Sequence, residues 1–192
     1  MNDPRQLLQH WWPPLVLSAL SITFQGLGWM ESLRYERALL GSEPWRLVSG
    51  HLIHLGWNHL LLNLAGLLLI WGLFGQAMRP WAWGAAVVAC ALTVSGGLYL
   101  RDPTLDWYVG LSGVLHGLLL LGALAALRRE RPMALLLLAM VDAKLLWEQL
   151  GGASSATAEL VGGAVIVNAH LYGALGGLLC APLLRLRRAR PQ

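Results

Sequence analysis

Charge is what this sequence has least of. Only 12% of its 192 residues are charged, against the roughly 25% usual for a soluble domain. That shortage excludes an ordinary water-facing surface over most of the chain and points to lipid as the solvent. Cysteine is equally scarce. Cys90 and Cys180 both fall inside apolar segments, which excludes a disulfide or thiolate-metal framework and leaves two small hydrophobes. No HExxH motif occurs, and no carboxylate is spaced to join His51, His54 and His59 in a metal site, so neither metal nor cofactor is expected. Low-complexity segments and internal repeats are also missing. A proton-linked transporter built from His59, His170, Asp142 and Lys144 would call for broken helices repeated in two halves, and no such symmetry is present.

What the chain does have is 56% hydrophobic residues, arranged in runs that approach the roughly 20 residues a membrane helix needs. Six helical spans are expected: Pro14 to Trp29, Trp57 to Gly75, Trp81 to Tyr99, Leu111 to Leu127, Met133 to Leu150 and Gly162 to Leu184. The whole chain, 1–192, then reads as one all-α polytopic membrane domain. The stretch after His10-Trp11-Trp12-Pro13-Pro14 lacks a small-residue cleavage site, so it is taken as the first membrane helix and not as a signal peptide. His10 is expected at the interface. Between the first two spans lies the longest connection, about Met30 to Gly56. It keeps apolar and aromatic residues, so it is expected to be ordered and functional.

Net charge is +4, but the basic residues sit in loops, as topology signals do. Anionic lipid is therefore the expected partner and nucleic acid is not. With the N-terminus in the cytoplasm, Arg5, Arg79, Arg128, Arg129, Arg131, Arg185, Arg187, Arg188 and Arg190 all lie on that side. The other side keeps only Arg34, Arg37, Arg46 and Arg101, outnumbered by acids. The bias predicts both termini cytoplasmic.

Polar residues inside membrane spans are costly and call for an explanation. Here they are His59 and Asn63, Ser112 and His116, Asp142, Lys144 and Glu148, and Asn168 and His170. His59, Ser112 and His170 share a depth near the non-cytoplasmic face. Gly113 and Gly117 flank Ser112, and Gly173, Gly176 and Gly177 follow His170; such small residues let membrane helices approach closely. His170 could then reach Ser112 Oγ and act as its base, with His59, Asn63 and the Ser112 backbone N–H as oxyanion donors. No third carboxylate orients His170 in this reading. His116 could pack on its ring instead. Lys144 and Glu148, four apart, are expected to pair within their helix. A lone Ser and a lone His in membrane helices also serve as plain interhelical hydrogen bonds, and spacing alone leaves that alternative open.

Three ordered motifs bear on that choice. PWRLVSGHLIHLGWNHLLLNLAG resembles the first loop and second span of rhomboid proteases, with Trp45, Arg46, His54, His59 and Asn63 matching in order and spacing. GLSGVLHG is similar to the rhomboid nucleophile motif through Gly110, Ser112 and Gly113, and NAHLYGALGG to the last-span motif through Ala169, His170 and Gly173. The resemblance runs from about Trp45 to Gly177. It implies a six-helix rhomboid bundle with a long membrane-associated first loop. Ser112 would be nucleophile and His170 base, His59 and Asn63 would line the oxyanion hole, and Trp45 and Arg46 would anchor the loop. His116 departs from the pattern, since many rhomboids place Tyr there. Small size and GLSGVLHG resemble the bacterial rhombosortase branch. That implies an inner-membrane location and membrane-anchored substrates carrying a C-terminal Gly-Gly motif, a membrane helix and a basic tail. A proteolytically inactive relative that binds and escorts membrane helices is the alternative.

Overall fold

The computed structural model describes residues 4–152 and 155–185, and it is 76% helical. Among the described residues, six helices have 13 residues or more: α1 (Pro4–Gly26), α2 (Trp57–Phe74), α3 (Pro80–Arg101), α4 (Ser112–Ala126), α5 (Arg131–Gln149) and α6 (Val167–Leu179). Two segments, Trp57–Ala77 and Pro80–Arg101, are long and apolar enough to cross a membrane. α4 and α6 fall short of the roughly 20 residues a full crossing needs. Non-helical chain precedes each of them, 107–109 before α4 and 162–166 before α6, and both stretches line one cleft. Irregular backbone is tolerated at membrane depth where it lines a cavity.

Three helix limits differ from the sequence expectation: the starts of α1 and α6, and the end of α6, which stops at Leu179 and not at Leu184, with a 3-10 turn Ala181–Arg185 after it. α1 starts ten residues ahead of Pro14 and carries Pro13 and Pro14 in its interior. Packing holds that early segment. Both prolines are buried, and the buried His10 ring lies 5.6 Å from the ring of Trp71 on α2. His10 is therefore packed among side chains of the bundle. α6 starts five residues after Gly162. An extra short helix, Ser155–Val161, ends there, because Gly162 takes φ +84° and the N–H groups of Gly162 and Gly163 both return to the Ala158 carbonyl. This is a glycine-terminated helix end, which only an unbranched backbone adopts cheaply. Arg187, Arg188 and Arg190 lie outside the described residues, as do the side chains of Arg5 and Arg185.

The main core packs α2, α3 and α4 through Leu67, Trp71, Phe74, Trp83, Leu118 and Leu121. Outward faces stay apolar, with Leu61, Leu69, Leu136, Met140, Leu146 and Trp147 exposed. An apolar patch of that extent marks a surface covered by something other than water.

The first loop buries Tyr35 and Ile53 and is further ordered by polar contacts. Buried Arg46 bonds Glu43 (2.6 Å) and donates to the carbonyls of Glu31 (3.0 Å) and Arg34 (2.8 Å). Ser49 Oγ donates to Leu33 O (2.6 Å). His51 Nε2 lies 3.0 Å from both Ala91 O and Ser95 Oγ on α3. Burial pulls the His51 pKa down to about 4, so the ring is held neutral. The loop also pairs with the α3–α4 connection: β1 (Tyr35–Glu36) runs antiparallel to β2 (Trp107–Tyr108). Beside that pair, Arg37 donates to the carbonyls of Leu98, Tyr99, Asp102 and Leu105. Leu98 and Tyr99 belong to the last turn of α3 and Asp102 is its C-cap, an end where most carbonyls lack an intrahelical partner, although Leu98 O also accepts from Asp102 N–H. Hydrogen bonds from a charged group contribute about 1.5–3 kcal/mol. Arg37→Ala should therefore lower unfolding free energy by about 3 kcal/mol, measured by denaturation in detergent, and Arg37→Lys should recover only part of it.

Candidate active site

The site begins with a turn that only glycine permits. Gly110 has φ +122°, and a Cβ there would lie 2.8 Å from His59 Cε1 and 3.0 Å from Nε2. The Gly110 N–H donates to Gly50 O, and Tyr108 Oη–H donates to Gly110 O. The turn sets Ser112 as the first residue of α4, against the His59 ring. Gly110→Ala should push that ring aside; if His59 is the oxyanion donor that the resemblance implies, the change costs about 10²- to 10³-fold in turnover, measured in a cleavage assay at saturating substrate.

α4 and α6 meet backbone to backbone. A Cβ on Gly173 would fall 1.8 Å from Gly113 O, and one on Gly177 would fall 2.1 Å from Gly117 O. His170 lies one turn before Gly173 and so shares its face. Its Nε2 sits 3.0 Å from Ser112 Oγ. The His116 ring stacks on His170, with centroids 4.1 Å apart and planes at 19°, while its Nδ1 donates to Ser112 O at 2.8 Å. His59 and Asn63 project from α2 into the same cleft of about 680 Å³. Leu55 N–H reaches His59 Nδ1 at 3.4 Å, which leaves Nε2 to carry the proton and act as donor. Asn63 Nδ2 gives one hydrogen to His59 O at 3.0 Å and keeps a second.

One residue overturns the expectation that no carboxylate orients the histidine. Glu148 on α5 places Oε2 2.9 Å and Oε1 3.1 Å from His170 Nδ1. It also pairs with Lys144 one turn back, the contact that spacing anticipates. The contact to His170 crosses a loop of unpredictable path, so no sequence period exposes it. The available signal was energetic, because a buried membrane carboxylate needs more than one partner. Tyr172 was likewise missed. Its ring lies over Gly97, and its hydroxyl donates to Asp102 at 2.8 Å, with Asn168 on the same carboxylate. Together they tie α6 to the end of α3. Asp142 is exposed on α5. Trp45 leaves 53% of its surface exposed, so of the two expected anchors it is Arg46 that braces the loop from within.

His51, His54 and His59 do not converge. His51 turns to α3, and His54 sets its edge on the His59 ring at 5.0 Å. Burial, with His59 nearby, pulls the His54 pKa down to about 3. The closest donor cluster among the described residues is His116, Glu148 and His170, within 4.8 Å. Stacked imidazoles direct their lone pairs along parallel planes, and His170 Nδ1 is already engaged by Glu148. The set is built for hydrogen bonding and fits a four-coordinate metal poorly.

A family model of the Rhomboid domain matches residues 41–187. The chain belongs to the rhomboid family. Rhomboids are generally intramembrane serine proteases acting on membrane-embedded substrates, and the family includes inactive members. Membership and the apolar helices make this rhomboid an integral membrane protein. No curated protein matches the chain. The matched span takes in Arg46 and the second half of the loop it braces, the turn at Gly110, and the polar side chains that meet in the cleft of this rhomboid.

Proposed function

We propose that this rhomboid is an active serine endopeptidase with Ser112 as nucleophile and His170 as general base. The observation that carries the reading is the 3.0 Å contact between Ser112 Oγ and His170 Nε2, inside a cleft large enough to take a peptide segment. Ser112 attacks a peptide carbonyl as His170 takes its proton. His59, Asn63 and the Ser112 N–H face the developing oxyanion. His170 then protonates the leaving amine, and water completes hydrolysis of the acyl-enzyme. His116 supports the His170 ring by stacking. Trp45 anchors the first loop toward lipid, as exposed interfacial tryptophans do.

The substrate class follows the rhombosortase-like motifs: membrane-anchored proteins with a Gly-Gly, membrane-helix and basic-tail C-terminus, cut near the outer face. The six long helices form one membrane bundle in the bacterial inner membrane, both termini cytoplasmic, in keeping with the loop arginines. The test is a reconstituted assay with a fusion carrying that tail, paired with fluorophosphonate labelling. Cleavage together with labelling at Ser112 is the expected result. A folded wild type that neither cleaves nor labels would mean an inactive, helix-binding relative. Labelling without cleavage would keep the protease and discard the tail.

A further inference from the structure

We propose that Glu148 completes a Ser112–His170–Glu148 relay as the positioning residue of the base, an inference that rests on the reading of Ser112 and His170 as catalytic.

The geometry has the order such a relay requires. Both carboxylate oxygens lie within 3.1 Å of His170 Nδ1, and the opposite ring nitrogen lies 3.0 Å from Ser112 Oγ. A carboxylate only accepts hydrogen bonds, so the proton of the neutral ring resides on Nδ1. That leaves the Nε2 lone pair free to face the serine. When Nε2 takes the serine proton, the resulting imidazolium lies against a negative charge, and Glu148 itself keeps no proton. Fixing the tautomer and stabilising the imidazolium are what the acid of a serine-protease triad does. The side chains of Glu148 and His170 are 10% and 6% exposed, so water competes little for the contact.

The rival explanation is a structural ion pair within α5. Lys144, the only lysine in the chain, does bond Glu148. Its side chain is 49% exposed, however, and an exposed i,i+4 pair contributes little. That is too little to hold a carboxylate among apolar neighbours, and it gives no reason for the second oxygen to turn to His170. Two supports for the base are thus independent. His116 fixes the plane of the ring from one face, while Glu148 fixes its rotation within that plane.

The test uses the full chain in proteoliposomes and compares wild type, Glu148→Gln and Glu148→Asp by kcat, KM, rate of fluorophosphonate labelling and melting temperature. The amide keeps size and hydrogen bonding but can present its NH₂ to Nδ1, which reverses the tautomer. In the relay, Glu148→Gln lowers kcat and the labelling rate by about 10²- to 10⁴-fold, as the equivalent change does in soluble triads, with KM within about twofold. Glu148→Asp restores part of the loss. Glu148→Gln with kcat within about threefold of wild type, or with its loss confined to KM or melting temperature, overturns the relay and leaves the Ser112–His170 reading standing. A wild type that fails to label at Ser112 overturns both.

Discussion

Ser112→Ala and His170→Ala should each reduce cleavage by about 10⁶-fold, to the level of either change combined with the other. Nucleophile and base act as one unit, so removing one already forfeits nearly all that both supply. The contact between them is single, at 3.0 Å, and no second hydroxyl is hydrogen-bonded to His170 among the described residues. The measurement is initial rate on the tailed fusion over a wide enzyme range, with the double variant alongside. Losses that multiply in the double variant would show two independent roles and would sink the assignment. Ser112 is partly exposed to the cleft, so its truncation leaves no sealed cavity and melting should hardly move.

The second large effect comes from one methyl group. Gly173→Ala should cut turnover by at least about 10²-fold while leaving the protein folded. A Cβ at 1.8 Å from Gly113 O is impossible, and relief requires the two helices to part by more than an ångström. Ser112 and His170 sit on the two backbones that part. A misplacement of about 1 Å costs on the order of 10²-fold in positioned chemistry. Gly72→Ala on α2, where nothing lies within 4 Å of the added carbon, is the matched control and should be neutral or slightly stabilising. Equal activity in both variants would mean that α4 and α6 tolerate separation.

These two cases show what the sequence makes legible. The glycines at 113, 117, 173 and 177 announce close helices because small residues recur at helical spacing, and the helices do touch there. The Ser112–His170 encounter follows once the two helices are placed at one depth. The limits of α1 and α6 were harder to read. Pro14 looks like a helix start, yet burial of His10 and both prolines carries the helix through them. Gly162 looks like the opening of a span but closes a short preceding helix through its positive φ. Glu148 was read only as far as Lys144, since local spacing reports partners one turn away and is silent about those across a loop.

The placement of Glu148 also has a mechanical meaning. α5 buries only Ala134, Val141 and Leu145, so it is the least embedded of the long helices around the cleft. A hydrogen bond at 2.9 Å is lost once the atoms part beyond about 3.5 Å. The seating of α5 and the orientation of the His170 ring are therefore one mechanical variable: the carboxylate holds the ring only while the helix stays fully docked.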